Sequence, residues 1–151
     1  MFKSLTELKN DGIITVPDKT LVHSTVGDYT STRRLINGGH CVSARKGIEG
    51  KDYNITDRFS NGVTLGNIPT HKNGLKNKGN GQSWFPDNWD SNKILIAGTA
   101  VANSGVPIEN GRQIGEYDGI SVRVIYNART GDIGTICPDY NQEAVKGVKR
   151  I

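Results

Sequence analysis

At 151 residues the chain is long enough for one domain with its own core and too short for two. Hydrophobic residues make up only 34% and glycines number 19, which excludes a helical bundle and points to a loop-rich fold with a modest core. A count of 19 Lys and Arg against 15 Asp and Glu leaves a net charge of +4 and a pI near 9.1, a mild bias toward polyanions that names no partner by itself.

Taken in chain order, Ser4 to Asn10 reads as one or two helical turns, with Ser4 as cap and Glu7 at the capping-box position. Ile13 to Val26 mixes apolar and polar residues around a Pro17-Asp18 turn signal. Gly27 to Gly39 is polar, with Arg33-Arg34 as an exposed basic pair, and Glu49 to Gly62 reads as charged and irregular. Val63 to Ile68 alternates as a short strand. His71 to Gln82, rich in glycine and lysine, reads as a mobile basic loop. Asp90 or Ser91 caps a helix to about Asn103 whose inner face would be Ile94, Leu95, Ala97, Val101 and Ala102. Ile120 to Tyr126 alternates, Asn127 to Asp132 turns the chain, and Ile133, Thr135 and Cys137 alternate on the return, which predicts an antiparallel hairpin. Short connections argue against a parallel sheet. The fold class is α+β, with N-terminal and mid-chain helices packed on an antiparallel β-sheet, in one domain over residues 1–151.

Cys41 and Cys137 are expected as free thiols, because they do not make a disulfide framework and no Cys/His spacing reads as a zinc site. No apolar run approaches the ~20 residues that cross a bilayer, and Met1-Phe2-Lys3-Ser4-Leu5 lacks the apolar block of a signal peptide. The domain is therefore expected not to insert into membranes by itself.

The chemistry concentrates in three stretches: Gly38-Gly39-His40, the segment from Lys76 to Pro86, and Gly134-Thr135-Ile136-Cys137-Pro138. With His23 they supply two imidazoles, an ammonium and a hydroxyl, and no cluster of carboxylates or thiols. That set can break an RNA phosphodiester without a metal: one imidazole accepts the 2′-OH proton, the other protonates the departing 5′-oxygen, and the lysine offsets charge on the phosphate. Histidine titrates near neutral pH and suits both tasks. Gly38-Gly39 would let the backbone ahead of His40 pass close to a substrate phosphate. His71 reads as solvent-facing or RNA-contacting, and Trp84, Phe85 and Trp89 as core.

This arrangement resembles the bacterial EndoU endoribonucleases over about residues 21–140. His23 and His40 stand seventeen positions apart, the second in a glycine-led stretch. A lysine precedes Ser83-Trp84-Phe85-Pro86, which in the family opens a Trp-containing helix. Asp118-Gly119-Ile120-Ser121-Val122 and Thr135-Ile136-Cys137-Pro138 complete the pattern in order.

The resemblance implies a barnase–EndoU–colicin–RelE-like fold and catalytic roles for His23, His40, Lys78 and Thr135. The distance to Ser83 favours Lys78 over Lys76, leaving Lys76 among the substrate-binding residues with Ser83, Cys137 and Tyr140. Ser83 matches a position associated with reading a base edge, or it caps the turn into Trp84. Cys137 stands where many members place a base-stacking aromatic, which removes any firm uridine preference; Tyr140 is the nearby aromatic that could substitute. No metal or other cofactor is expected.

The resemblance further implies a toxin module of contact-dependent growth inhibition or a related polymorphic system. It would be delivered as the C-terminal part of a larger secreted or cell-surface bacterial protein. It would act on RNA, with tRNA foremost, in the target-cell cytoplasm and be blocked by a cognate immunity protein with an acidic contact surface. Two other readings stay open: a non-catalytic RNA-binding or adaptor module on the same fold, and a metal-free ribonuclease of another related family.

Overall fold

The computed structural model describes residues 16–25, 27–29, 35–40 and 53–151. The expected helix at Ser4–Asn10, the Arg33-Arg34 pair and Cys41 lie outside them. Helix α1 spans Asp18–Thr25 and α2 spans Ser91–Ala102. Among the described residues the strands pair antiparallel, in three groups. β1 (Asp28–Tyr29) pairs with β2 (Leu35–Asn37); β3 (Asn54–Arg58), β4 (Thr64–Asn67) and β5 (Gln82–Trp84) form one sheet; β6 (Arg112–Tyr117), β7 (Ile120–Tyr126) and β8 (Ile133–Pro138) form another. The architecture is α+β, as the sequence predicts. No helix among the described residues is long and apolar enough to cross a membrane.

The predicted helix at Asp90 forms where its cap chemistry dictates. The Asp90 carboxylate accepts the Lys93 N–H at 2.8 Å, a cap whose loss typically costs about 1 kcal/mol. Ile94, Ala97, Val101 and Ala102 turn inward as expected, whereas Leu95 is only half-buried and Gly98 takes the fifth inner place. Gly98 is needed there: a Cβ would stand 2.3 Å from Cδ1 of Ile136 on β8. The core joins this face to Phe59, Val63, Leu65, Phe85, Trp89 and the inner residues of β7 and β8. Phe85 and Trp89 stack with centroids 5.0 Å apart, and Trp84 is fully buried, so the three aromatics are core.

Four expectations are corrected. Residues 16–25 contain a helix whose buried side chains are Thr20, Ser24 and Thr25. Its buried hydroxyls bond to backbone, and of its apolar residues Leu21 packs on the core while Val22 is exposed, so it leaves no apolar period. Residues 54–58, read as irregular, form β3. The Ser83-Trp84 pair lies in β5, and the helix begins only at Ser91, beyond Trp89. Residues 71–82 are a folded set of turns, closed where the Ile68 N–H donates to the Lys76 carbonyl at 3.0 Å and Asn67 Nδ2 to the Gly79 carbonyl at 2.7 Å.

The β7–β8 hairpin is present, with Asn127 Oδ1 accepting the Arg129 and Thr130 N–H groups in its turn. Its return strand departs from strict alternation. Ile125 pairs with Thr135 but Tyr126 with Ile133, so Gly134 is an extra, unpaired residue. That bulge puts Ile133 and Ile136 on the core side. Thr135 and Cys137 share the other face, opposite Ile125 and Arg123. Thr135 therefore does not share a face with Ile133.

Candidate active site

The site is assembled where the C-terminal end of α1 meets β8 and the start of β5. Two polar side chains of α1 dock it on β8: Thr20 Oγ1 donates to the Ile133 carbonyl and Ser24 Oγ accepts the Ile136 N–H at 2.8 Å, while Thr25 Oγ1 donates back to the Leu21 carbonyl within the helix. Gly27, at φ 95°, closes the helix by donating to the Val22 carbonyl. The last helical carbonyls then serve as a socket for the glycine stretch. The Gly39 N–H donates to the His23 carbonyl at 2.9 Å and the His40 N–H to the Ser24 carbonyl at 2.6 Å.

This contact explains the glycines differently from the sequence reading. Gly38 has φ +74°, and a Cβ on it would lie 1.9 Å from the His23 carbonyl oxygen. The close approach is to α1 itself, and it fixes the two histidines relative to each other. Gln82 Nε2 adds a clamp, donating to the Gly38 carbonyl at 3.0 Å and the Gly39 carbonyl at 3.3 Å.

The two imidazoles sit in opposite environments. His40 is 2% exposed, and its Nδ1–H donates to the Ser83 carbonyl at 2.7 Å. Burial first, and the Lys76 ammonium second, lower its pKa from 6.5 to about 3, against the pull of that hydrogen bond. The ring is neutral at physiological pH, with Nε2 as its acceptor. His23 has a carboxylate partner: its Nδ1–H donates to Asp28 Oδ2 at 2.5 Å, while Nε2 lies 3.0 Å from Thr135 Oγ1.

Around this pair, Lys76 is half-buried and its charge reaches both His40 and His71. Burial lowers its own pKa. Lys76, Asn73, Leu75, Asn80, Gly81 and Tyr140 line a cleft of about 270 Å³. The Tyr140 hydroxyl is fixed on the Gly81 carbonyl at 2.5 Å, and the Arg123 guanidinium lies 5.1 Å from the ring centroid. A second cleft of about 260 Å³ opens beside His23 and Asp28, lined also by Lys19, Thr130 and Asp132. Among the described residues no group of three or more His, Cys, Asp or Glu could hold a metal ion.

Comparison with known families matches the one described as Bacterial EndoU nuclease over residues 17–140. The chain belongs to that family. It is an endoribonuclease, and its EndoU domain spans most of the sequence. Neither curated proteins nor solved structures gave a match.

In this EndoU domain His23, His40 and Thr135 come together, with Lys76 beside them. Lys78 is exposed. Ser83 is fully buried beneath His40, its hydroxyl donating to the Pro138 carbonyl at 3.2 Å, so it supports the ring from below. Cys137 is a free thiol, buried, with its pKa pushed up to about 11 by that burial. His71, expected at the surface, is fully buried. Asp28 and Gln82 are side chains at the site that sequence reasoning missed. Asp28 follows His23 by five positions, a spacing that means nothing until the helix and glycine turn are known.

The buried histidines make the EndoU fold acid-sensitive. Their pKa values are lowered, to about 3 for His40 and about 4 for His71, from an unfolded value near 6.5. Below pH 6.5 the unfolded chain therefore binds protons that the native state refuses. Their contribution is fully present above 6.5 and is lost as pH falls toward 4 and then 3. Urea midpoints are expected to drop over that window, and less steeply in His40→Asn. Equal slopes in both proteins would contradict the burial of that imidazole.

Proposed function

We propose that this domain is a toxin that cleaves RNA, tRNA foremost, by transphosphorylation. His40 Nε2 takes the proton of a ribose 2′-OH, and the 2′-oxygen attacks the adjacent phosphorus. The bond from phosphorus to the 5′-oxygen breaks as His23 gives that oxygen a proton. The products are a 2′,3′-cyclic phosphate and a 5′-hydroxyl. Lys76 is the cation that meets the charge on the pentavalent phosphate, and Thr135 holds the His23 ring.

One observation supports this reading: each imidazole is held through Nδ1 by a different acceptor, a backbone carbonyl at His40 and a carboxylate at His23. The Ser83 carbonyl occupies the protonated nitrogen of His40 and leaves Nε2 as a base. Asp28 holds Nδ1 of His23 and so fixes the orientation in which Nε2, beside Thr135, would give its proton. The nucleotide that supplies the 2′-OH then lies toward Lys76 and the Tyr140 cleft, whose ring offers its base a surface. The nucleotide released with the 5′-hydroxyl lies toward the cleft beside Asp28.

The test is incubation with total tRNA in EDTA, followed by mapping of the 3′ ends. Fragments that end in 2′,3′-cyclic phosphate, from RNA and not from the matching DNA, are expected. Ends with 3′-hydroxyl, or binding without cleavage, would sink the reading; the latter favours an adaptor module.

As a toxin the domain would travel as the C-terminal part of a larger secreted or cell-surface bacterial protein and act in the target-cell cytoplasm. Its immunity protein is expected to be acidic and to cover the His23, His40 and Lys76 cleft, because Lys72 and Lys78 expose positive charge beside it. Binding should weaken as salt rises. A protection map of the complex that left both histidine segments open would contradict occlusion.

A further inference from the structure

His71 takes no part in the proton transfers, yet it is fully buried in the turns that carry Lys76. Those turns hold together through a short series of bonds. The His71 N–H donates to the Ile68 carbonyl at 2.8 Å, and His71 Nδ1 accepts the Asn73 N–H at 2.9 Å. Asn73 Oδ1 accepts the Leu75 N–H at 2.9 Å, and the Asn73 carbonyl accepts the Lys76 N–H at 3.0 Å. The Lys76 carbonyl closes the series on the Ile68 N–H at 3.0 Å. Lys76 is thus held at both its N–H and its C=O, and the side chain that starts the path is His71.

We infer that His71 is a positioning residue for Lys76: its Nδ1, by accepting the Asn73 N–H, fixes the turn that aims the lysine into the active site. It rests on the reading of Lys76 as the cation that faces the phosphate. Burial first, and Lys76 second, lower the His71 pKa to about 4, so the ring is uncharged at neutral pH and its Nδ1 lone pair is available. With Nδ1 accepting, the ring proton sits on Nε2, which finds no partner among the described residues. The ring's polar work is done by Nδ1 alone. A side chain that reaches only as far as Nδ1 therefore suffices, and one that reaches only to the place of Nε2 does not.

Asparagine and glutamine separate these two positions. In His71→Asn, Oδ1 takes the place of Nδ1 and keeps the acceptor for Asn73 N–H, as in an Asx turn. In His71→Gln the acceptor moves out to the place of Nε2. On an RNA substrate His71→Asn is expected to keep kcat within about threefold of wild type. His71→Gln is expected to lose kcat by about 10- to 100-fold, the scale of a misplaced catalytic group, with little change in KM. Because the loss acts through Lys76, it should shrink to less than about threefold when Lys76→Ala is already present.

The proposal is overturned if the glutamine loss persists in full beside Lys76→Ala, or if the asparagine variant loses as much as the glutamine one. If His71→Gln does not fold, the asparagine variant decides alone. Folded with near-wild-type kcat it supports the proposal; unfolded, or folded with a tenfold loss, it makes His71 a packing residue. Should Lys76→Ala itself leave kcat unchanged while cleavage still depends on His40, the assignment of Lys76 falls and the proposal with it. Absence of any His40-dependent cleavage would instead mark failure of the endonuclease mechanism.

Discussion

His40→Asn is expected to slow RNA cleavage by at least ~10²-fold, the usual worth of a general base, and His23→Asn by a similar factor as general acid. Asparagine is the informative replacement at both places. At His40 its side-chain amide can still donate to the Ser83 carbonyl, which now takes the Nδ1–H at 2.7 Å. At His23 it can still donate to Asp28. Each variant thus loses Nε2 while the anchoring bond is kept, so a loss of rate with an unchanged melting temperature reports chemistry and not unfolding. The double variant should be far less impaired than the product of the two losses, because both groups act in one transfer. Near-wild-type cleavage of purified tRNA by either single variant would refute the two-histidine mechanism.

Lys76→Ala is expected to cost about 10²- to 10³-fold in kcat, and Lys78→Ala no more than a few-fold. The two lysines are two residues apart, and only their surroundings separate them. Lys76 is half-buried with its charge felt at His40, where low polarity strengthens its action on a developing dianion. Lys78 is exposed to water, where its charge is screened and serves mainly to attract the polyanion. Raising the salt concentration should therefore diminish the effect of Lys78→Ala and leave that of Lys76→Ala. Single-turnover rates of both variants across a salt series check this. A larger loss at Lys78 would return the catalytic role to it.

What the sequence made legible was the family and the strongly patterned elements. The β7–β8 hairpin and α2 announce themselves through alternation and a capping aspartate. The histidine pair is visible through its family spacing. The remainder was hidden wherever polar residues do a core residue's work. Helix α1 buries Thr20, Ser24 and Thr25 and bonds to β8 through Thr20 and Ser24. Strand β6 turns Gln113 inward, where it accepts the Tyr126 hydroxyl and donates to the Val106 carbonyl. Its Gly115 leaves room for Val101. Neither element carries an apolar period for the sequence to reveal. The different burial of Lys76 and Lys78 was equally hidden, because burial within a turn depends on bonds such as that from the Asn73 N–H to His71 Nδ1, which composition does not encode. Gly134 shows the same limit in a strand: a single bulge moved Ile133 to the face opposite Thr135.

The roles of the two imidazoles rest on which proton each one moves, and a substrate with sulfur in place of the bridging 5′-oxygen separates them. A thiolate leaves without needing a proton, so this RNA should make the general acid dispensable while the 2′-OH still requires its base. On it, His23→Asn is expected to recover most of the wild-type rate, whereas His40→Asn stays slow. Recovery of His40→Asn with His23→Asn left impaired would reverse the assignment, and recovery of neither would contradict proton transfer to the leaving group by His23.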